Sequence, residues 1–238
     1  MTGRRVALIT ICGVIAAGSL GIAVEAARYA HEESTRRPSA AEIAQAKTIA
    51  IAQRWERLPA GLIFPATVAY STQQGTRETA TRLGISAGDS CEQSLDVTVL
   101  GPAGRYGCLG VLRASYTDEL GGTVYTVGVV VFPGNAAARG FARSVPTAAY
   151  PATGLNALAV SDTAAARFTN PARQTTVEEV TGPYVVLAVS GYADGRPASK
   201  AAEPRDSVFG PAGRLVAAVE APLAAPQQVS CGTQEFKC

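Results

Sequence analysis

The sequence predicts an α+β domain, an antiparallel-dominated sheet with packed helices, held behind a single N-terminal membrane-spanning helix. Three observations predict it. Two apolar runs, TVYTVGVVVF ending at Phe132 and YVVLAVSGY ending at Tyr192, each follow a turn and an earlier strand pattern. Both are hydrophobic on alternating sides, as strands covered on both faces are. Each of these hairpin patterns is followed by a helix pattern, a repeated ββα plan that gives an antiparallel-dominated α+β sheet. Finally, Val6 to Val24 carries no charge at all.

That run is long enough to matter. As a helix it rises to about 28 Å, close to the ~30 Å hydrocarbon core of a bilayer. Arg4 and Arg5 precede it, and Glu25 and Arg28 close it. A cleaved signal peptide with Val24-Glu25-Ala26 at the cut is the competing reading, but its apolar region is ordinarily shorter. A lipoprotein does not fit, because Cys12 lies in mid-run behind Ile11. The expectation is residues 1–5 in the cytoplasm, 6–24 in the lipid bilayer of the cell membrane, 25–57 as a juxtamembrane stalk and helix, and 58–238 as an exported domain. Basic residues on both sides of the span leave the orientation near a tie, and the cysteines turn it outward. Gly13, Ala17 and Gly21 recur every fourth residue, a small-residue stripe that lets two membrane helices approach, so a homodimer through the span is one expected partnership.

Charge excludes a function class. The chain has 21 Lys+Arg and 19 Asp+Glu, and Arg4 and Arg5 lie before the span with no acid beside them, so 19 of each sign remain beyond it. A neutral domain lacks the basic field on which nucleic-acid affinity rests. Alanine and glycine are over-used throughout, which weakens Ala-rich runs as signs of helix.

Beyond Cys12 the cysteines are Cys91, Cys108, Cys231 and Cys238. An even number in an exported domain predicts two disulfides, and the local pairs Cys91–Cys108 and Cys231–Cys238 are favoured among three connectivities. The first closes a loop of about 18 residues and is worth about 3 kcal/mol on the chain-entropy model. Zinc is the rival reading, but there is no Cys-x-x-Cys spacing and His31 is the single histidine.

Taken in order, Ser39 and Glu42 form a capping box that starts a helix running to about Arg57, and Leu58-Pro59 stops it. LIFPATVAY, from Leu62 to Tyr70, reads as a strand that Pro65 confines to an edge or bulge. Thr76 to Leu83 reads as a short helix, Asp89 as the cap of another running toward Leu100, and Gly101 to Gly107 as a loop. Leu112 to Phe132 is a hairpin turning at Asp118–Gly122, followed by a helix capped by Asn135 and carrying Phe141 and Val145. Gln174 to Tyr192 repeats the hairpin, turning at Thr181–Pro183, and a helix from Pro211 to about Ala221 follows. The repetition suggests an internal ββα duplication. Asn156 to Ser161 reads as one more short strand.

The runs IFPATVAYSTQQGTRETATRLGI and LRASYTDELGGTVYTVGVVVFP resemble a family of membrane-anchored actinobacterial proteins. The resemblance implies an exported domain of unassigned activity and transfers no catalytic residues. A fainter likeness, to the extracellular sensor domains of actinobacterial receptor kinases, is one of architecture alone.

No motif tested for chemistry survives its physical requirements. Gly84-Ile85-Ser86-Ala87-Gly88 matches the spacing of a hydrolase nucleophile elbow. That elbow needs a strand before the serine, a helix after it and a histidine base, whereas this one reads as a helix-ending turn. His31-Glu32-Glu33 lacks the second histidine of a zinc-protease helix. Asp118-Glu119 and Glu178-Glu179 sit beside hairpin turns, where neighbouring side chains face opposite ways and are read as solvated. Gly101-Pro-Ala-Gly-Arg105 and Gly210-Pro-Ala-Gly-Arg214 are read as a coincidental repeat, with Pro211 opening a helix. No catalytic residue, cofactor site or metal site is therefore assigned. The expectation is a membrane-tethered extracytoplasmic module that binds a ligand or a protein partner in the cell envelope. A structural subunit of an envelope assembly and an envelope hydrolase are the alternatives.

Overall fold

The computed structural model describes residues 22–32, 36–199 and 206–226. They fall into two compact units, of which the larger is Lys47–Gln228. The smaller contributes helical residues 22–32 and the start of α1 (Ala40–Ala52). The predicted capping box is there: Ser39 N–H donates to Glu42 and Glu42 N–H to the Ser39 hydroxyl. Arg36 also bonds Glu42, which brings that carboxyl down to about 2. Among the described residues no helix is long and apolar enough to cross a membrane. The expected span lies outside them except for residues 22–24, and so do Gly13, Ala17, Gly21, Cys231 and Cys238.

Among its described residues the larger unit is built on one six-stranded, wholly antiparallel sheet. Its strands are β1 (Thr67–Ser71), β2 (Arg77–Asp89), β3 (Gly110–Thr117), β4 (Thr123–Val131), β5 (Arg173–Thr181) and β6 (Tyr184–Tyr192), in the order β1-β2-β3-β4-β6-β5. The two apolar runs are β4 and β6, and they pair with each other at the centre (Val127↔Ala188). Every residue of β4 is buried. A strand with no polar side to show to water has to be covered on both faces, and this one is.

One face carries Tyr125, Val127, Val129, Val186 and Ala188 under Ile63, Phe64 and the helix α7 (Pro211–Ala224), which supplies Leu215, Val216 and Val219. The other carries Val111, Val130, Val185, Leu187 and Val189 under α5 (Val97–Arg105) with Val99 and Ala103, and α6 (Asn135–Ala142) with Phe141. The helices after the two hairpins thus cover opposite faces. Two short turns, α2 (Arg54–Arg57) and α3 (Ala60–Ile63), lead into β1, and α4 (Cys91–Ser94) precedes α5. Arg54 is buried and donates Nη1 to the Leu223 carbonyl at 2.6 Å, satisfying an orphan acceptor in the last turn of α7.

Several expectations are corrected here. Thr76–Leu83 is not a helix: from Arg77 on it is β2, which gains ladder bonds from both β1 and β3; pairing on two sides overrides weak local preference. Asp89 ends that strand. Ser90 caps α4 by accepting from Gln93 N–H, and Asp96 caps α5 by accepting from Thr98 N–H. Gly101–Gly107 is no loop: α5 continues through Pro102 to Arg105, because Val99 and Ala103, four apart, bury on one side. β1 starts only at Thr67, after α3 and Pro65, and lies at the sheet edge as proline predicted. Gly134 rather than Asn135 is the N-cap residue of α6, and Val145 lies beyond its end. In the stretch 156–161 there is no strand; next to it Leu155 makes one isolated bridge, to Leu95.

Candidate functional site

The β1–β2 and β3–β4 turns lie at the same end of the sheet, and a cleft of about 370 Å³ opens between them. Its lining comes from far apart in the chain: Tyr70 to Gln74, Glu78, Asp118, Thr123, Tyr125, Val208, Gly210 and Pro211. Each wall has a local cause. In the first turn Thr72 N–H donates to Thr76 C=O and Thr76 N–H to the Thr72 hydroxyl, a closed loop that presents Gln73 and Gln74 outward. In the second, the Asp118 carboxylate accepts from Thr123 N–H at 2.9 Å while Gly121 takes φ +69°, the left-handed conformation glycine adopts at no steric cost. The third wall is held by Phe209, whose ring meets Tyr192 at 5.3 Å and the edge of Tyr125 at 6.5 Å.

The site is a hydrogen-bonding surface. The Tyr70 hydroxyl donates to Glu78, and the hydroxyls of Tyr125 and Thr123 bond at 2.7 Å. Burial pushes the Tyr70 phenol up, reinforced by the Glu78 hydrogen bond and the charges of Glu78 and Asp118. Burial also pushes Tyr125 up, with Asp118 adding to it. Both phenols therefore remain protonated donors at neutral pH. Glu119 braces the site by accepting from Thr79 N–H at 2.7 Å.

The opposite face of the sheet is knitted rather than open. Cys91 and Cys108 form the predicted disulfide, which ties α4 to the short segment that leads into β3. An extended strap around Leu155–Leu158 crosses this face. Asn156 donates to the Gln93 and Leu95 carbonyls, Leu158 N–H donates to the Thr126 hydroxyl, and Ser115 donates to Leu158 C=O. The strap fits because Gly128 has no side chain: a Cβ there would stand 2.9 Å from Leu155 Cδ2. At its root Asp96 and Arg173, both buried, pair at 2.8 Å. The same carboxylate accepts from Gly154 N–H, and Arg173 donates to the Leu155 and Asn170 carbonyls.

The other residues singled out in the sequence scatter. Gly84 and Ser86 lie inside β2 beside an irregularity in its pairing with β3, not in a helix-ending turn. The strand runs on through Asp89, and the single histidine, His31, belongs to the smaller unit. The two acidic pairs fare differently. Asp118 and Glu119 are structural acceptors at the cleft. Glu178 is half-buried on β5, facing the Leu187 side of the sheet, with Oε2 buried and unpartnered. Burial raises its pKa, and the Glu179 charge adds to the rise. The two Gly-Pro-Ala-Gly-Arg runs occupy unrelated positions, inside α5 and at the start of α7. Sequence reading missed Tyr70, Glu78 and Asp96–Arg173; a cap signal at Asp96 was the one local trace.

Among the described residues no group of three or more His, Cys, Asp or Glu is placed to hold a metal ion. No protein-family model, curated protein or solved structure matches the chain.

Proposed function

We propose that the chain is a membrane-tethered, extracytoplasmic binding module of the cell envelope, and that the cleft between the two turns is its ligand site. The lining carries this reading. Two protonated phenols, the hydroxyls of Ser71, Thr72 and Thr123, two amides and two carboxylates converge on a volume within the small-molecule range. That lining suits a small, hydroxyl- or amine-bearing polar molecule. The charge-free run before residue 25 supports the tether, with Gly13, Ala17 and Gly21 as its helix-contact stripe. The Cys91–Cys108 disulfide is compatible with an oxidising compartment outside the cytoplasm. On this reading the chain joins the membrane-anchored actinobacterial family it resembles. The adjacent β3–β4 and β5–β6 hairpins support descent from a duplicated hairpin.

A thermal-shift screen of the full chain in detergent, against sugars, polyols and amines, tests the site. A ligand at 100 times its Kd should stabilise by about 2.7 kcal/mol. The gain should vanish in Gln73→Trp, which fills the cleft from an exposed turn. If no compound shifts the midpoint, or the shift survives Gln73→Trp, the cleft is not the site. A reporter active only outside the cytoplasm, fused after Cys238, should be active; silence would overturn the topology.

A further inference from the structure

Among the described residues β1 pairs with β2 alone, and the register decides which of its backbone groups are left over. Arg82 N–H donates to Ala66 C=O and Thr72 N–H to Thr76 C=O, each at 2.9 Å, on the same register as Val68↔Ala80 and Tyr70↔Glu78. Hydrogen-bonded pairs alternate with non-bonded ones in an antiparallel ladder, so Thr67, Ala69 and Ser71 turn N–H and C=O away from the sheet. The opposite edge is guarded. Ala152 N–H bonds Arg173 C=O, the Thr176 hydroxyl bonds Thr153 C=O, and Glu178 and Glu179 place charge on β5. β1, TVAYS, carries neither proline nor charge, the usual devices that blunt an edge.

A hollow of about 300 Å³ lies on this bare edge, lined by Ala69, Tyr70, Ser71, Arg77 and Arg214. Tyr70 points to the face covered by α7, so Arg77, opposite Ser71, approaches from the other face, while Arg214 comes from the first turn of α7. Both arginines are exposed, and among the described residues neither has an ion-pair partner. Two guanidinium groups thus flank outward backbone donors and acceptors, one from each side of the sheet.

We propose that β1 takes up an extended strand from a partner protein, with an Asp or Glu side chain of that strand seated between Arg77 and Arg214. Main-chain hydrogen bonds to Thr67, Ala69 and Ser71 supply register-dependent affinity, and the arginine pair supplies specificity for a carboxylate. The surface adjoins the ligand cleft, sharing Tyr70 and Ser71 with it, but it is read through outward main-chain groups and two arginines that the cleft does not use, so loss of cleft binding in Gln73→Trp would leave it intact.

The test is an array of immobilised octapeptides, alternating Thr or Val with randomised positions, probed with the full chain in detergent. The peptides that bind should be enriched in Asp or Glu at one position. Replacing that acid with Gln, or combining Arg77→Gln with Arg214→Gln, should weaken binding by about tenfold or more. Ala69→Pro removes an outward N–H and no β1–β2 ladder bond, so it should leave the melting point near wild type while weakening every peptide. Hydrogen exchange at Ala69 and Ser71, but not at Val68, should slow on peptide binding. The proposal is overturned by no acidic enrichment, by undiminished binding to Ala69→Pro, or by arginine-dependent capture on anionic vesicles with no peptide bound. Peptide binding without slowed exchange at Ala69 and Ser71 would overturn it equally.

Discussion

Asp96→Ala cuts the buried network at its centre. Asp96 is 6% exposed, and its carboxylate accepts three bonds: from Thr98 N–H at 2.9 Å, Gly154 N–H at 2.7 Å and Arg173 Nη1 at 2.8 Å. Alanine removes all three acceptors. Arg173, 7% exposed, keeps only the Leu155 and Asn170 carbonyls for its charge. Loss of an N-cap alone costs about 1 kcal/mol. Stripping one partner from a buried ion pair costs about 3–5 kcal/mol, most of it the charge left behind. A loss of about 4 kcal/mol is therefore expected, a large part of the roughly 5–15 kcal/mol that holds a domain together. Urea unfolding followed through Trp55, the single tryptophan, whose ring lies against Gly110, gives the measurement. Arg173→Leu should cost less than Asp96→Ala, and the double variant should lose less than the two singles together by about 1–3 kcal/mol. Strictly additive losses, or a loss below about 1 kcal/mol for Asp96→Ala, would refute the argument that the pair pins the strap.

Three more outcomes are expected. Val127→Asp and Val186→Asp each bury an unpaired carboxylate in a fully covered strand, so neither should accumulate as folded protein; near-normal yield of either would contradict the two-sided core. Glu178→Gln should raise the melting point at neutral pH. The folded-state pKa of Glu178 lies above its unfolded value, so wild-type stability is fullest below the unfolded value of about 4.3 and declines as pH rises through the folded one. The advantage of Glu178→Gln should therefore grow over that window and shrink in acid; a pH-independent difference would show that burial of the charge is not the cause. Cys108→Ser should lower stability by about 3 kcal/mol, and reduced wild type should match it in a urea titration; identical midpoints for oxidised wild type and Cys108→Ser would remove the crosslink from the stability account.

The centre of the fold was legible because its cause is local. TVYTVGVVVF offers no polar side, so its interior place in the sheet follows from the residues alone, whereas its pairing with β6 does not, and the Cys91–Cys108 pair follows from proximity in sequence. β2 was misread because Arg77–Leu83 has no clear period of its own. What makes it a strand is the pair of neighbours it lies between, which no window of that length contains. The acidic pairs mark the same boundary. That Glu178 and Glu179 face opposite ways was readable from strand geometry, but the burial of Glu178 depends on the elements packed across its face. The cleft was invisible for a simpler reason. Tyr70, Asp118 and Pro211 meet only after the sheet has been assembled and Phe209 has closed over Tyr125 and Tyr192, so no contiguous stretch announces it.

The clasp between Arg54 and the Leu223 carbonyl joins α2, near the start of the larger unit, to the last turn of its closing helix. Arg54 and Leu223, each a few residues inside the two ends of the folded unit, are therefore separated by the reach of one arginine side chain. A pull applied between those two points is met first at the clasp, which peels, rather than by the sheet, whose strands would have to shear past one another. The same geometry makes the unit portable. A host chain could accept it in a surface loop, or chain ends cut near Arg54 and Leu223 could be joined and the chain reopened at Gln73–Gln74, with a short span to bridge.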